Sequence, residues 1–137
     1  MSSDRLFGTV YGAACAAAAV AVVGFAGAAL AQTAPAGDVK RGAEVFKVQC
    51  SVCHTAAPGA GHSIGPNLAG VVGRPAGSAT GFKYSDAMGK VKVDWTAENL
   101  DKYLENPWQI APGTPMALVV PSKKNRDDVI AYLASVK

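Results

Sequence analysis

Cys50-Ser51-Val52-Cys53-His54 is the stretch on which the reading of this chain turns. Two thiols separated by two residues and followed at once by histidine form the C-x-x-C-H pattern through which haem is attached to a polypeptide. The chemistry explains the spacing. The thiols add to vinyl groups on adjacent pyrroles as thioethers, and the imidazole that follows turns beneath the iron. Cys50 and Cys53 are therefore the expected attachment residues of one covalent haem c, and His54 its proximal ligand. Two other uses of a cysteine pair fit less well. A thioredoxin-like dithiol needs a strand-helix-strand setting, and no alternating apolar strand precedes Cys50. Zinc wants four ligands, and Cys50, Cys53, His54 and His62 match no zinc spacing, with the third cysteine far off at Cys15.

Outward from the motif, the 137 residues allow one domain and a segment that is not part of it. Residues 6–31 carry no charge and are dominated by Ala, Val and Gly; Arg5 precedes them and Ala29-Leu30-Ala31 ends them. That order reads as an export signal cleaved after Ala31, with an uncleaved membrane anchor as the alternative, since the run is long enough to span a bilayer. Cys15 reads as signal filler. Taking away residues 1–31 leaves 106 residues, a size at which a buried haem is a needed part of the core. Arg5 and Asp4 leave together, so 13 basic and 10 acidic residues become 12 and 9. A net charge of +3 is a mild bias toward an acidic partner surface and no nucleic-acid footprint. Both cysteines left after the leader belong to one motif, which excludes a disulfide framework.

Residues 32–37 (QTAPAG) form a joint to a domain over residues 38–137. Asp38 is placed to cap a helix running through Val39, Gly42, Ala43, Val45 and Phe46 toward Cys50. Residues 55–81 are rich in Gly, Pro and Ala and read as a loop wrapping a cofactor edge. A short helix is expected near residues 84–89. Thr96 is an N-cap for a helix that buries Leu100, Tyr103 and Leu104 and stops at Pro107. A last helix starts between Ser122 and Asn125 and buries Val129, Ile130, Leu133 and Val136. No strand or internal repeat is expected.

A six-coordinate haem needs a second ligand, and its choice divides electron carriers from ligand-binding or catalytic haems. Met88, Met116 and His62 are the candidates; Met116 ends the stiff run Ala111-Pro112-Gly113-Thr114-Pro115-Met116 between two expected helices. A lone Met is otherwise a flexible core filler.

Beyond the haem motif, Gly65-Pro66-Asn67-Leu68, Gly73-Arg74, residues 81–87 (GFKYSDA), Trp95, residues 103–107 (YLENP), residues 112–116 (PGTPM) and residues 130–133 (IAYL) occur in order. In these the chain resembles the class I c-type cytochromes, the branch of mitochondrial cytochrome c and its bacterial periplasmic counterparts, over essentially all of residues 38–137. The resemblance implies an all-α class I cytochrome c fold, helices and loops around one haem c, with Met116 as distal ligand. It implies that Arg74, Tyr84 and Trp95 bond or balance a buried propionate, and that Tyr103 and Thr114 sit beside the ligand sulfur. Pro66 resembles the proline whose carbonyl accepts from the proximal imidazole, and His62 a loop-bracing histidine. Gly42, Phe46 and Tyr132 match positions where the first and last helices cross closely. Departures also matter. Gln49, Trp108 and Pro115 stand where relatives commonly carry lysine, while Lys123 and Lys124 remain, Leu118 replaces an aromatic and Met88 an amide. Docking is therefore expected to depend less on charge, with Trp108 as an anchor. A steep fall of partner reaction rate with ionic strength would contradict that expectation.

The implied function is a monomeric one-electron carrier of the bacterial periplasm and not an enzyme. Its partners are membrane respiratory or photosynthetic complexes, such as a quinol-oxidising bc-type complex and a terminal oxidase or reaction centre. The alternatives are a membrane-tethered subunit of one complex, facing the periplasm, and an open-site haem peroxidase or gas-binding protein.

Overall fold

Asp38 starts the fold in the way its position predicts: its carboxylate accepts from Arg41 N–H at 2.9 Å and caps α1 (Val39–Val45). The computed structural model describes residues 36–137, so the leader over residues 1–31, Cys15 and most of the 32–37 joint lie outside the described residues. The helix does not run on regularly toward Cys50. It widens into a π-helical turn over Phe46–Cys50, in which Ser51 N–H donates to Phe46 O at 2.9 Å. A π turn inserts one residue into the helical register, a device frequent at functional sites. Tight turns then bring Cys53 N–H and His54 N–H back to Cys50 O, at 3.0 and 2.9 Å.

Residues 55–81 form no helix, as their Gly, Pro and Ala content predicts, and the helix-free stretch runs on to Ser85. Backbone bonds hold them, within the stretch from Leu68 N–H to Thr55 O at 2.8 Å, and to the chain before α3 through Gly73 N–H to Trp95 O (3.0 Å) and Trp95 N–H to Arg74 O (2.9 Å). The short α2 (Asp86–Gly89) follows, with Ser85 as its N-cap. Thr96 accepts from Asn99 N–H at 3.1 Å and caps α3 (Ala97–Glu105), which buries Leu100, Tyr103 and Leu104. Pro107 does more than stop this helix. It is the first residue of α4 (Pro107–Ile110), because proline fits the first turn where no backbone donor is needed. Asn106 caps that turn by accepting from Trp108 N–H at 3.1 Å.

The next stretch is shaped by a type II turn. Thr114 N–H donates to Ala111 O at 2.9 Å across Pro112 and Gly113, and Gly113 has φ of 84°. Proline presets the first central residue, and the second needs the left-handed region that glycine enters without strain. The chain then runs to Ser122, the N-cap of α5 (Lys123–Ser135). Val136 lies just past that helix and is only partly buried. Among the described residues there is no strand, only an isolated bridge between Pro75 and Asp94, and the fold is all-α.

α1 and α5 cross at Gly42. A Cβ at that position would overlap the carbonyl oxygen of Asp128 and lie 2.8 Å from Tyr132 Cβ, so only glycine allows the two backbones to approach this closely. Phe46 and Tyr132 pack beside it with ring centroids 5.4 Å apart. Asp128 ties the same crossing. Although 2% exposed, it accepts from Asp38 N–H (2.7 Å), Arg41 Nε (2.9 Å) and Nη2 (3.2 Å), and Lys124 Nζ (2.9 Å).

The Arg41 guanidinium, then Asp38 N–H and Lys124, hold the Asp128 carboxyl well below the usual carboxylate range. A carboxyl depressed by folding contributes stability above its unfolded value of about 4, and loses it as pH falls from there toward the folded value. Stability should therefore decline on acidification below about pH 4. In denaturant titrations run against pH, Asp128→Asn should flatten that acid limb; an unchanged slope would remove Asp128 as its source.

Candidate functional site

Around one cavity of about 520 Å³ the fold gathers Cys50, Cys53, His54, Pro66, Arg74, Tyr84, Trp95, Tyr103, Thr114 and Met116. Those are the residues singled out in the sequence, and they come from the π turn and the loop after it, the chain before α3, α3 itself and the turn that follows α4. Much of the remaining wall is aliphatic: Leu68, Val71, Leu100, Leu104, Leu118, Val129 and Leu133, with Met88. Among the described residues, Arg74 is the one wall residue with a fixed charge, and no Lys, Asp or Glu lines the cavity.

His54 is fixed on two sides. Its ring packs on Gly65, where a Cβ would lie 2.6 Å from Nδ1 and 2.8 Å from Nε2, so a larger residue would displace the imidazole. Nδ1 lies 2.8 Å from Pro66 O. A carbonyl only accepts, so Nδ1 carries the proton and Nε2 keeps its lone pair. Gly65 N–H to Cys53 O, at 2.7 Å, holds this segment against the motif. Cys50 is buried and Cys53 half-buried. Burial, with a smaller contribution from Cys53, pushes the Cys50 thiol up to about 11. A redox dithiol has a lowered thiol pKa, so this environment speaks against thioredoxin-like chemistry.

Thr114 is buried where the type II turn ends. Its hydroxyl lies 3.3 Å from Tyr103 OH and accepts from Met116 N–H at 3.4 Å. Burial raises the Tyr103 pKa, with the Thr114 hydrogen bond a smaller opposing effect, so the phenol stays neutral. Trp95 stacks at a tilt on Tyr103 with ring centroids 4.9 Å apart.

At another part of the wall, Arg74 Nη1 donates to Ala69 O and Nη2 to Asn67 O, each at 3.3 Å. Its Nε is buried with no partner among the described residues. A cationic donor left unpaired is costly unless an anionic group meets it. Tyr84 OH accepts from Ala79 N–H at 3.2 Å, which leaves its own O–H uncommitted. Two thiols, an imidazole with a free lone pair, an aliphatic wall and an unpaired guanidinium N–H together suit a large flat apolar group with an anionic arm. Haem c fits that description.

His62 is committed elsewhere. Its Nδ1 accepts from Asn67 N–H at 2.9 Å, so Nε2 must carry the proton that it donates to Thr80 O, also at 2.9 Å. Both nitrogens brace the loop, and His62 is absent from the cavity wall. Trp108 is 60% exposed and also lies outside the wall. The aliphatics at the mouth are ones the sequence reading passed over: Val52 and Ile64, 74% and 76% exposed. An exposed Val inside the haem motif and an Ile just before Gly65-Pro66 were the available signal.

Comparison with known proteins agrees with this geometry. The family model for cytochrome c matches residues 39–137. The chain is 47% identical over 98 residues to cytochrome c of Stellaria longipes, covering 71% of this chain and 91% of that protein. It is 46% identical over 117 residues to cytochrome c2 of Rhodomicrobium vannielii, covering 85% and 93%. Against cytochrome c of Kluyveromyces lactis the identity is 44% over 98 residues, covering 71% and 89%. One haem c is bound covalently in this family, here through Cys50 and Cys53. With that attachment motif, an all-α fold wrapped around the cavity and a match spanning the whole domain, the chain belongs to the cytochrome c family.

Proposed function

We propose that this chain is a one-electron carrier of the cell envelope in which His54 and Met116 hold the haem iron from its two faces. The observation that carries the proposal is the shared cavity. An imidazole with its lone pair free and a thioether on a turn-stiffened segment line the same mostly apolar space, with no carboxylate beside them. The bound haem supplies a ferric/ferrous couple, whose potential is raised by Met/His ligation and a dry surround.

The chain's own residues do the rest. Pro66 O orients the imidazole and raises its basicity through Nδ1–H, in the manner of outer partners of metal-bound histidines. Thr114 and Tyr103 fix the backbone and surroundings of Met116. Arg74, Tyr84 and Trp95 receive a propionate, and the aliphatic wall excludes water. With both axial positions filled, no ligand has to exchange when an electron moves.

Residues 1–31 are read as an export leader cleaved after Ala31, with residues 32–37 as joint and residues 38–137 as the cytochrome domain. The cytochrome c2 match covers more of the chain than the family domain does, so it takes in part of the N-terminal segment. Among the described residues no helix is long and apolar enough to cross a membrane. The carrier works in the periplasm, between a quinol-oxidising bc-type complex and a terminal oxidase or reaction centre. Intact mass of the envelope form decides between a free chain beginning at Gln32 and a tethered one retaining residues 1–31.

Carbon monoxide tests the closed site. The reduced holoprotein at neutral pH should bind it negligibly; ready binding would mean an open position and would move the protein to the gas-binding or peroxidase class.

A further inference from the structure

Met116 stands in a span with few attachments. Upstream, the Thr114 hydroxyl meets both Tyr103 OH and Met116 N–H. Downstream, residues 117–119 make no hydrogen bond among the described residues, and the chain is caught again only at Val120 and Pro121. Val120 N–H donates to Leu104 O at 2.8 Å. The other two bonds at this anchor come from one side chain: Arg126 Nη1 donates to Val120 O and to Pro121 O, both at 3.0 Å.

Arg126 belongs to α5, in the polar run Lys123-Lys124-Asn125-Arg126-Asp127-Asp128, yet it is 4% exposed. Two carboxylates of α3 hold it, Asp101 on Nε at 2.8 Å and Glu105 on Nη2 at 3.2 Å. Four of the five guanidinium N–H donors are thereby committed.

We propose that Arg126 is a positioning residue for Met116: locked between α3 and α5, it fixes the downstream end of the span and keeps the thioether at the iron. The inference rests on the Met116 ligation proposed above. A guanidinium suits the task because its planar fork reaches two carbonyls and two carboxylates at once. A lysine ammonium is a point charge and does not. Nη1 serves Val120 O in a buried setting, where water is a poor substitute for a lost donor. α3 and α5 also share the buried cluster that holds Leu104, Val129, Ile130 and Leu133. An exogenous ligand reaches the iron only in the fraction of molecules whose span is open. Its apparent affinity therefore rises by the factor by which opening becomes more populated.

The test is imidazole binding to ferric holoprotein. Arg126→Lys keeps a cation opposite Asp101 and Glu105 but gives up the fork, and its apparent imidazole affinity should rise about tenfold or more. Ile130→Ala, a buried α5 residue off the cavity wall, controls for general destabilisation and should stay within about twofold of the parent. Equal affinity in Arg126→Lys and the parent, or an equal rise in Ile130→Ala, overturns the proposal. Should Arg126→Lys yield no holoprotein, Glu105→Gln, which loosens one hold on the guanidinium, should show a smaller rise in the same direction; no rise there also overturns it. A parent holoprotein without a sulfur-to-iron charge-transfer band overturns instead the Met116 ligation beneath it.

Discussion

Cells producing His54→Ala are expected to contain at most about a tenth of the parent amount of holoprotein, because cofactor binding and folding are coupled. His54 does three things at once. Its ring fills the space over Gly65, its Nδ1–H satisfies the Pro66 carbonyl, and its Nε2 is the proposed proximal ligand. Alanine leaves a void, an unpaired half-buried carbonyl and an iron with no protein ligand on that face. The aliphatic residues of the cavity wall face a space that haem must fill. Without it the domain loses part of its core, at a size where little surplus stability exists. Intact mass of the purified chain and the yield of visible absorbance measure the effect. A parent-like yield with an unchanged spectrum would remove His54 from the ligand set.

Met116→Ala should have a different outcome. Haem should stay attached through Cys50 and Cys53, since neither thioether involves Met116, and the His54 face should be undisturbed. What changes is the other face: the reduced variant should bind carbon monoxide readily where the parent does not. Its potential should drop by on the order of 0.1 V or more, because axial ligand identity is the main lever on haem potential. The pair of effects distinguishes ligation from packing. A Met that only filled the wall would leave a cavity and lower stability without opening the iron. If the variant retained the parent spectrum, Met88, which is buried and lines the same wall, would take the ligand role instead.

The parts of this fold legible in the sequence are those set by local chemistry. Asp38 and Thr96 were readable as caps because a short polar side chain before an apolar-periodic run has one favoured use, and each accepts from a backbone N–H three residues on. The loop over residues 55–81 was readable from its glycines and prolines. Ten of the cavity residues were legible through the C-x-x-C-H chemistry and the ordered motifs around it, while the mouth residues Val52 and Ile64 were not.

What stayed hidden depends on contacts across long separations. Asp128 looks like a solvated helix acid until residues 38 and 41, some ninety positions earlier, bring three donors to it. Arg126 sits among charged neighbours and would be placed on an exposed face by pattern alone; only the approach of α3 and the chain at residues 120–121 buries it. The π turn over Phe46–Cys50 leaves no mark in composition, since any helix-forming residues can adopt it. α4 was missed because Pro107 and Asn106 read as a stop, and the same two residues also begin the next turn.

The ferric optical spectrum of purified holoprotein at neutral pH tests the central claim most directly. His54 and Met116 ligation predicts a low-spin spectrum carrying a sulfur-to-iron charge-transfer band. A high-spin spectrum without that band would contradict it and leave an open haem in place of a closed electron carrier.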